Sequence, residues 1–162
     1  MRVFWSLVFM GVFGLGFLGL TLIRTASHDP EVWHVDPLTA EAPESPNWYR
    51  VAPAALTEGR ISEEAPIYVG TPDVLAQAFE EFVLRQPDTF RIGGTPSGAW
   101  MTYVQRSETI KFPDYISVRF LEVDEARSTV AIYSRSRYGY GDLGVNQARV
   151  TRWLATLQSF EE

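Results

Sequence analysis

The nine residues Tyr138-Gly-Tyr-Gly-Asp-Leu-Gly-Val-Asn146 carry the most chemically suggestive spacing in the chain. Gly139, Gly141 and Gly144 fit G-x-G-x-x-G between a predicted strand and a predicted helix, the local context of a dinucleotide phosphate loop. That chemistry also requires a second parallel strand ending in an acid for the ribose, and only 18 residues follow Gly144. A kinase glycine loop lies between strands and is followed by a lysine. The single lysine here is Lys111, upstream of the loop. Both nucleotide readings fail on what must surround the glycines.

A more general anion chemistry survives. Glycines leave backbone amides uncovered, and a helix beginning at Asn146 aims its free N–H groups back at the loop. Arg135, Arg137, Arg149 and Arg152 cluster around it against Asp142 alone. On a strand, Tyr133, Arg135 and Arg137 share one face, while Ser134 and Ser136 continue the Val130–Ile132 face. The candidate residues for a small anionic or amphiphilic ligand, such as a lipid headgroup, are therefore Arg137, Gly139, Asp142, Asn146 and Arg149, through arginine forks and backbone donors. The competing reading is structural: the same motif braces the last helix against a sheet, with Asp142 as a turn or capping residue and Asn146 as N-cap. A third reading, an enzyme using Asp142 or a tyrosine as acid–base group, has no further catalytic residue to support it.

Other chemistries lack their parts. The chain has no cysteine, which excludes disulfides, thiolate zinc sites and thiol nucleophiles. His28 and His34 stand in a proline-bearing stretch with no metal-ligand spacing around them. Thr95-Pro96-Ser97-Gly98 is a turn rather than a nucleophile elbow. The adjacent acids Glu63-Glu64, Glu80-Glu81 and Glu161-Glu162 read as solvated faces. A net charge of −6 disfavours nucleic acid. No catalytic set, metal or cofactor is expected.

The elements that must position the motif follow from periodicity. Residues 25–64 hold Pro30, Pro37, Pro43, Pro46 and Pro53, which predicts an irregular stalk with no regular helix or central strand. Trp33, Trp48 and Tyr49 suggest that parts of it pack on the domain. From residue 65 the pattern is regular. Pro66–Val69 predicts a short strand. Thr71-Pro72-Asp73 opens a helix whose Leu75, Phe79, Phe82 and Val83 fall on one face and which Pro87 closes. Thr89–Ile92 predicts a strand ended by Gly93-Gly94. Strands over Trp100–Arg106, Tyr115–Val123 and Thr129–Arg137 follow, the last two joined by a polar turn. Asn146–Ser159 predicts a helix with Val150, Trp153, Leu154 and Leu157 as its apolar stripe. The order β-α-β-β-β-β-α describes a small α+β domain, a mostly antiparallel sheet packed with two helices, over residues 65–162.

At the C-terminal motif the chain resembles a known family. Ser134-x-Ser136-Arg137-x-Gly139-Tyr140-x-Asp142-Leu143-Gly144-Val145-Asn146-x-x-Arg149-Val150 is similar to the signature of the domain of unknown function 1499 family. Phe112-Pro113-Asp114-Tyr115, Ile132-Tyr133 and Trp33-His34-Val35-Asp36-Pro37 resemble its alphaproteobacterial members. The resemblance spans residues 33–159. Gly141 departs from the serine often found there, and Gln147 and Ala148 replace basic residues. The resemblance implies a bacterial or plastid, often membrane-associated protein of unassigned activity, and no catalytic residues.

Residues 3–23, VFWSLVFMGVFGLGFLGLTLI, hold no charge. As a helix this run is roughly 31 Å long, the thickness of a bilayer core. A signal peptide has a shorter apolar region and a small-x-small cleavage site, and only Thr25-Ala26-Ser27 approximates one. The expectation is an uncleaved single-pass anchor over residues 1–24 with membrane lipid as its partner. Arg2 and the terminal amine outweigh Arg24, placing the N-terminus in the cytoplasm and the domain outside it, in a bacterium the periplasm. Beyond Arg24 twelve basic residues face twenty acidic ones, a net of −8.

Overall fold

The computed structural model describes residue 14 and residues 17–161. The predicted anchor therefore lies largely outside the described residues. Residues 17–24 are helical, and among the described residues no helix is long and apolar enough to cross a membrane.

The domain is α+β, as the periodicity predicts. Its strands are β1 (Trp48–Ala52), β2 (Glu63–Glu64), β3 (Ile67–Val69), β4 (Thr89–Thr95), β5 (Trp100–Arg106), β6 (Pro113–Glu122) and β7 (Arg127–Ser136). Its helices are α1 (Pro30–Trp33, one turn), α2 (Pro72–Val83) and α3 (Val145–Leu154), the last continued by a 3-10 segment over Ala155–Phe160. The sheet runs β2-β1-β7-β6-β5-β4, and β3 pairs with the first part of β7. Every pairing is antiparallel except β1 with β2.

β1 corrects the reading of residues 25–64. It lies between Pro46 and Pro53, pairs with both β2 and β7, and is therefore interior to the sheet. Proline removes only its own donor, and the six residues Asn47–Ala52 between the two prolines keep all of theirs. Gly93-Gly94 likewise does not end β4: the strand continues to Thr95 through a register shift between Arg91 and Gly93.

The two faces of the sheet have different covers. Val51, Met101, Tyr103, Ile116, Val118, Phe120, Val130 and Ile132 meet Leu75, Phe79 and Val83 of α2 and Val150, Trp153 and Leu157 of the C-terminal segment in one core. Trp153 sits edge-on to Phe79 and Tyr103, with centroids 6.0 Å away in each case. Burial of each such side chain stabilises by roughly 1.5–3 kcal/mol, and edge contacts are the favoured aromatic geometry. The second face mixes polar, aromatic and small apolar side chains, and the segment after the N-terminal helix crosses it as a strap. Trp33 stacks on Tyr115 at 3.7 Å and 5°. His34 stacks on Trp100 at 4.4 Å. Asp36 pairs with Arg119, Leu38 packs on Ala52 and Ala131, and the Ala40 carbonyl accepts from the buried Arg50.

Candidate functional site

β7 delivers the motif to one end of the sheet. Ser134 and Ser136 point to the helix face, Arg135 and Arg137 to the strap. Past β7 the chain turns with positive φ at Gly139 (91°), Leu143 (54°) and Gly144 (80°) and enters α3. The helix cap is the Asp142 carboxylate: the Gly144 N–H donates to one of its oxygens at 3.1 Å and the Asn146 N–H to the other at 2.7 Å. The donors read as an anion cradle thus hold an anion from the chain itself. Gly144, not Asn146, is the N-cap residue.

Asn146 lies inside the first turn of α3 and is fully buried. Its Nδ2 donates to the Asn47 carbonyl at 2.9 Å and to Ser136 Oγ at 3.1 Å, and its Oδ1 accepts from Ser134 Oγ at 2.6 Å. One turn on, Arg149 is 4 % exposed. Its Nε donates to Gln105 Oε1 at 2.6 Å. Its Nη1 donates to Ser134 Oγ at 3.0 Å and Asn146 Oδ1 at 2.7 Å, and its Nη2 to Asp114 Oδ2 at 2.6 Å. A single guanidinium thereby ties α3 to β5, β6 and β7. Asn47, the residue before β1, extends the network to the glycine loop, its Nδ2 donating to the Gly139 carbonyl at 2.7 Å.

Arg137 is elsewhere. Its Nη1 donates to the Ser27 carbonyl at 2.8 Å and to Tyr115 Oη at 3.1 Å, and its guanidinium lies 5.4 Å from the centroids of Trp33 and Tyr138. Tyr115 is on the strap side of β6 and Asp114 on the helix side, so the sheet separates Arg137 from Arg149. Arg135 is also under the strap, donating to the Trp33 carbonyl at 3.2 Å between the Trp33 and Tyr133 rings. Burial, with the Arg50 charge acting in the same direction, pushes it down to about 10.

Of the five candidates, the structure brings Asn146 and Arg149 into one network, puts Gly139 and Asp142 on the loop that leads into it, and leaves Arg137 on the opposite face. Asn47, Gln105 and Asp114 complete the network without having been singled out as site residues. Asp114 and Gln105 had a signal, as polar residues at positions where alternation along β5 and β6 expects apolar side chains. Asn47, remote in sequence, had none. Gly141 has open space where a side chain would go, room for the serine that the resemblance implies at this position.

A cavity of about 530 Å³ opens beside α3 at this end, where Arg106, Arg149 and Arg152 meet Asp88, Glu108 and Asp114. Among the described residues no group of three or more His, Cys, Asp or Glu side chains is placed to hold a metal ion.

A single, mostly antiparallel sheet with two helices on one face, a strap on the other and a buried arginine making four hydrogen bonds at the helix–sheet junction defines a structural class rather than a reaction. The family described as "Protein of unknown function (DUF1499)" matches residues 38–157, and the chain belongs to that family. No curated protein and no solved structure matches it.

Proposed function

We propose that this is a single-pass, membrane-anchored protein whose domain lies outside the cytoplasm and acts as a structural or protein-interaction module, with the C-terminal motif bracing the last helix. The observation that carries the bracing reading is the set of four hydrogen bonds Arg149 makes to Gln105, Ser134, Asn146 and Asp114. Bidentate capture of a carboxylate or phosphate uses two parallel N–H groups of the guanidinium, whereas four of the five here are bonded within the fold. The uncharged run over residues 3–23 supports the anchor.

Arg149→Ala tests the bracing. Removing one partner of a buried ion pair leaves Asp114 uncompensated and costs about 3–5 kcal/mol, a fall in melting temperature of roughly 10–20 °C for a domain of this size. Circular dichroism melts of the full chain read it. An unchanged melting temperature would sink the bracing reading.

The cavity favours a second reading, a small anionic ligand. Arg152 lines it and forms no ion pair among the described residues. Native mass spectrometry of the full chain would then give an added mass that Arg152→Ala removes while the melt stays unchanged. A mass unaffected by Arg152→Ala would reject this site.

A further inference from the structure

The glycine loop carries apolar side chains that the bracing function does not use. Leu143 is fully exposed, Tyr140 is 77 % exposed, and Ile110 on the β5–β6 loop is 41 % exposed. They are held outward rather than left loose. The Asp142 cap fixes Leu143 at positive φ, and Asn47 fixes the loop through the Gly139 carbonyl. The 107–112 and 138–145 loops are neighbours: Phe112 and Tyr138 rings are 6.1 Å apart, and the Arg137 N–H donates to the Pro113 carbonyl at 3.2 Å.

The chain leaving the N-terminal helix is fastened to this same end. Arg106 donates to the Ile23 and Ala26 carbonyls, each at 3.4 Å, and to His28 Nε2 at 2.7 Å. Arg24 donates to the Thr109 carbonyl at 3.3 Å, and Arg137 holds the Ser27 carbonyl. The end of the uncharged run and the exposed apolar loops therefore share one edge of the domain. Charge does not decide what this edge meets, since Arg24 and Lys111 share it with Glu108 and Asp88. Apolar exposure and chain continuity do.

We propose that this edge faces lipid, with Leu143, Tyr140 and Ile110 entering the interfacial layer of the same phospholipid bilayer that holds residues 3–23. Short apolar and aromatic side chains on rigid loops suit that layer, where one end of a ring is wet and the other is not. The proposal rests on the membrane-anchor reading given above, and the two are separable by experiment.

The full cysteine-free chain is reconstituted in phosphatidylethanolamine–phosphatidylglycerol vesicles as Leu143→Cys, Ile110→Cys or Val123→Cys, each carrying a nitrobenzoxadiazole label. Val123 is exposed at the β6–β7 turn, the opposite end of the sheet, roughly 30 Å away at the rise of an extended strand. Flotation after carbonate washing reads anchoring, and quenching by a shallow spin-labelled lipid reads contact. The expected result is flotation in all three cases, with blue-shifted emission quenched several-fold at positions 143 and 110 and unaltered emission at 123. Flotation with positions 143 and 110 as unquenched as 123 would overturn the lipid-facing edge and leave the anchor standing. A chain that does not float would overturn both.

Discussion

His28 is held in one neutral tautomer, and His34 presents its Nδ1–H to the sheet. Arg106 can only donate, so His28 Nε2 is an acceptor and its Nδ1–H donates to Tyr115 Oη at 2.8 Å. Thr102 donates to Ser117, so His34 Nδ1–H donates to Thr102 Oγ1 at 2.8 Å. A second proton on His28 would abolish its bond from Arg106 and set a cation against Arg106 and Arg137, beside Tyr115 and the Phe90 ring. Burial first, then those two arginines, lowers its pKa from 6.5; burial alone lowers that of His34. The folded state then binds fewer protons than the unfolded chain. The contribution is whole above pH 6.5 and is lost as the pH falls through the lowered folded values. Thermal melts should be flat in this respect from pH 8 to 7 and fall as the pH drops from 6.5 towards 5, above the range near 4 where carboxylates protonate. A His28→Gln/His34→Gln double variant should remove that slope; a slope that persisted would assign it to other groups.

At the scale of elements, two glycines separate what the fold needs from what it merely tolerates. A Cβ at Gly94 would lie 1.8 Å from the Trp100 carbonyl oxygen, at a φ of +73° that L residues rarely adopt. Gly94→Ala must break the β4–β5 ladder there, at a cost of more than about 3 kcal/mol once left-handed strain and clash combine. Gly141→Ser meets open space and should change stability by less than about 0.5 kcal/mol. Urea titrations of the two variants check both expectations. The elements with strong periodicity were legible in the sequence: α2 from its Thr-Pro-Asp start and apolar stripe, β5 from Trp100 to Arg106, and the Val150–Trp153–Leu157 face of the last helix. β1 was hidden because two prolines bracket it, although neither interrupts it. Trp33 signalled that the strap packs on the domain, and it does, stacked on Tyr115; the strap's path was hidden because its side chains bind the sheet one at a time, by stacking, ion pairing and carbonyl acceptance, with no repeat to read. The Arg149 network was half legible. Asn146 and Arg149 share the motif, but the partners that decide the guanidinium's role are 35 and 44 residues away, at Asp114 and Gln105.

For the molecule as a whole, the sheet divides two kinds of attachment. One face holds the helices through an apolar core, and the other holds the strap that leads back to the N-terminal run. Because the strap is fastened at the edge that holds Ile23 and Ala26, the anchor proposed above would, through the orientation of residues 3–23, set the side of the membrane on which the acidic domain resides. Arg2 and the amino terminus flank one side of the run, Arg24 the other, and basic flanks favour the cytoplasm. The domain should therefore be extracytoplasmic. The chain lacks cysteine, so Val123→Cys places a single thiol at the domain end farthest from the fastened edge. A membrane-impermeant maleimide should label it in intact bacterial cells with a permeabilised outer membrane, to the same extent as after lysis. Labelling only after lysis would mean that Arg24 marks the cytoplasmic side, and the domain with its lipid-facing edge would then act on the inner leaflet.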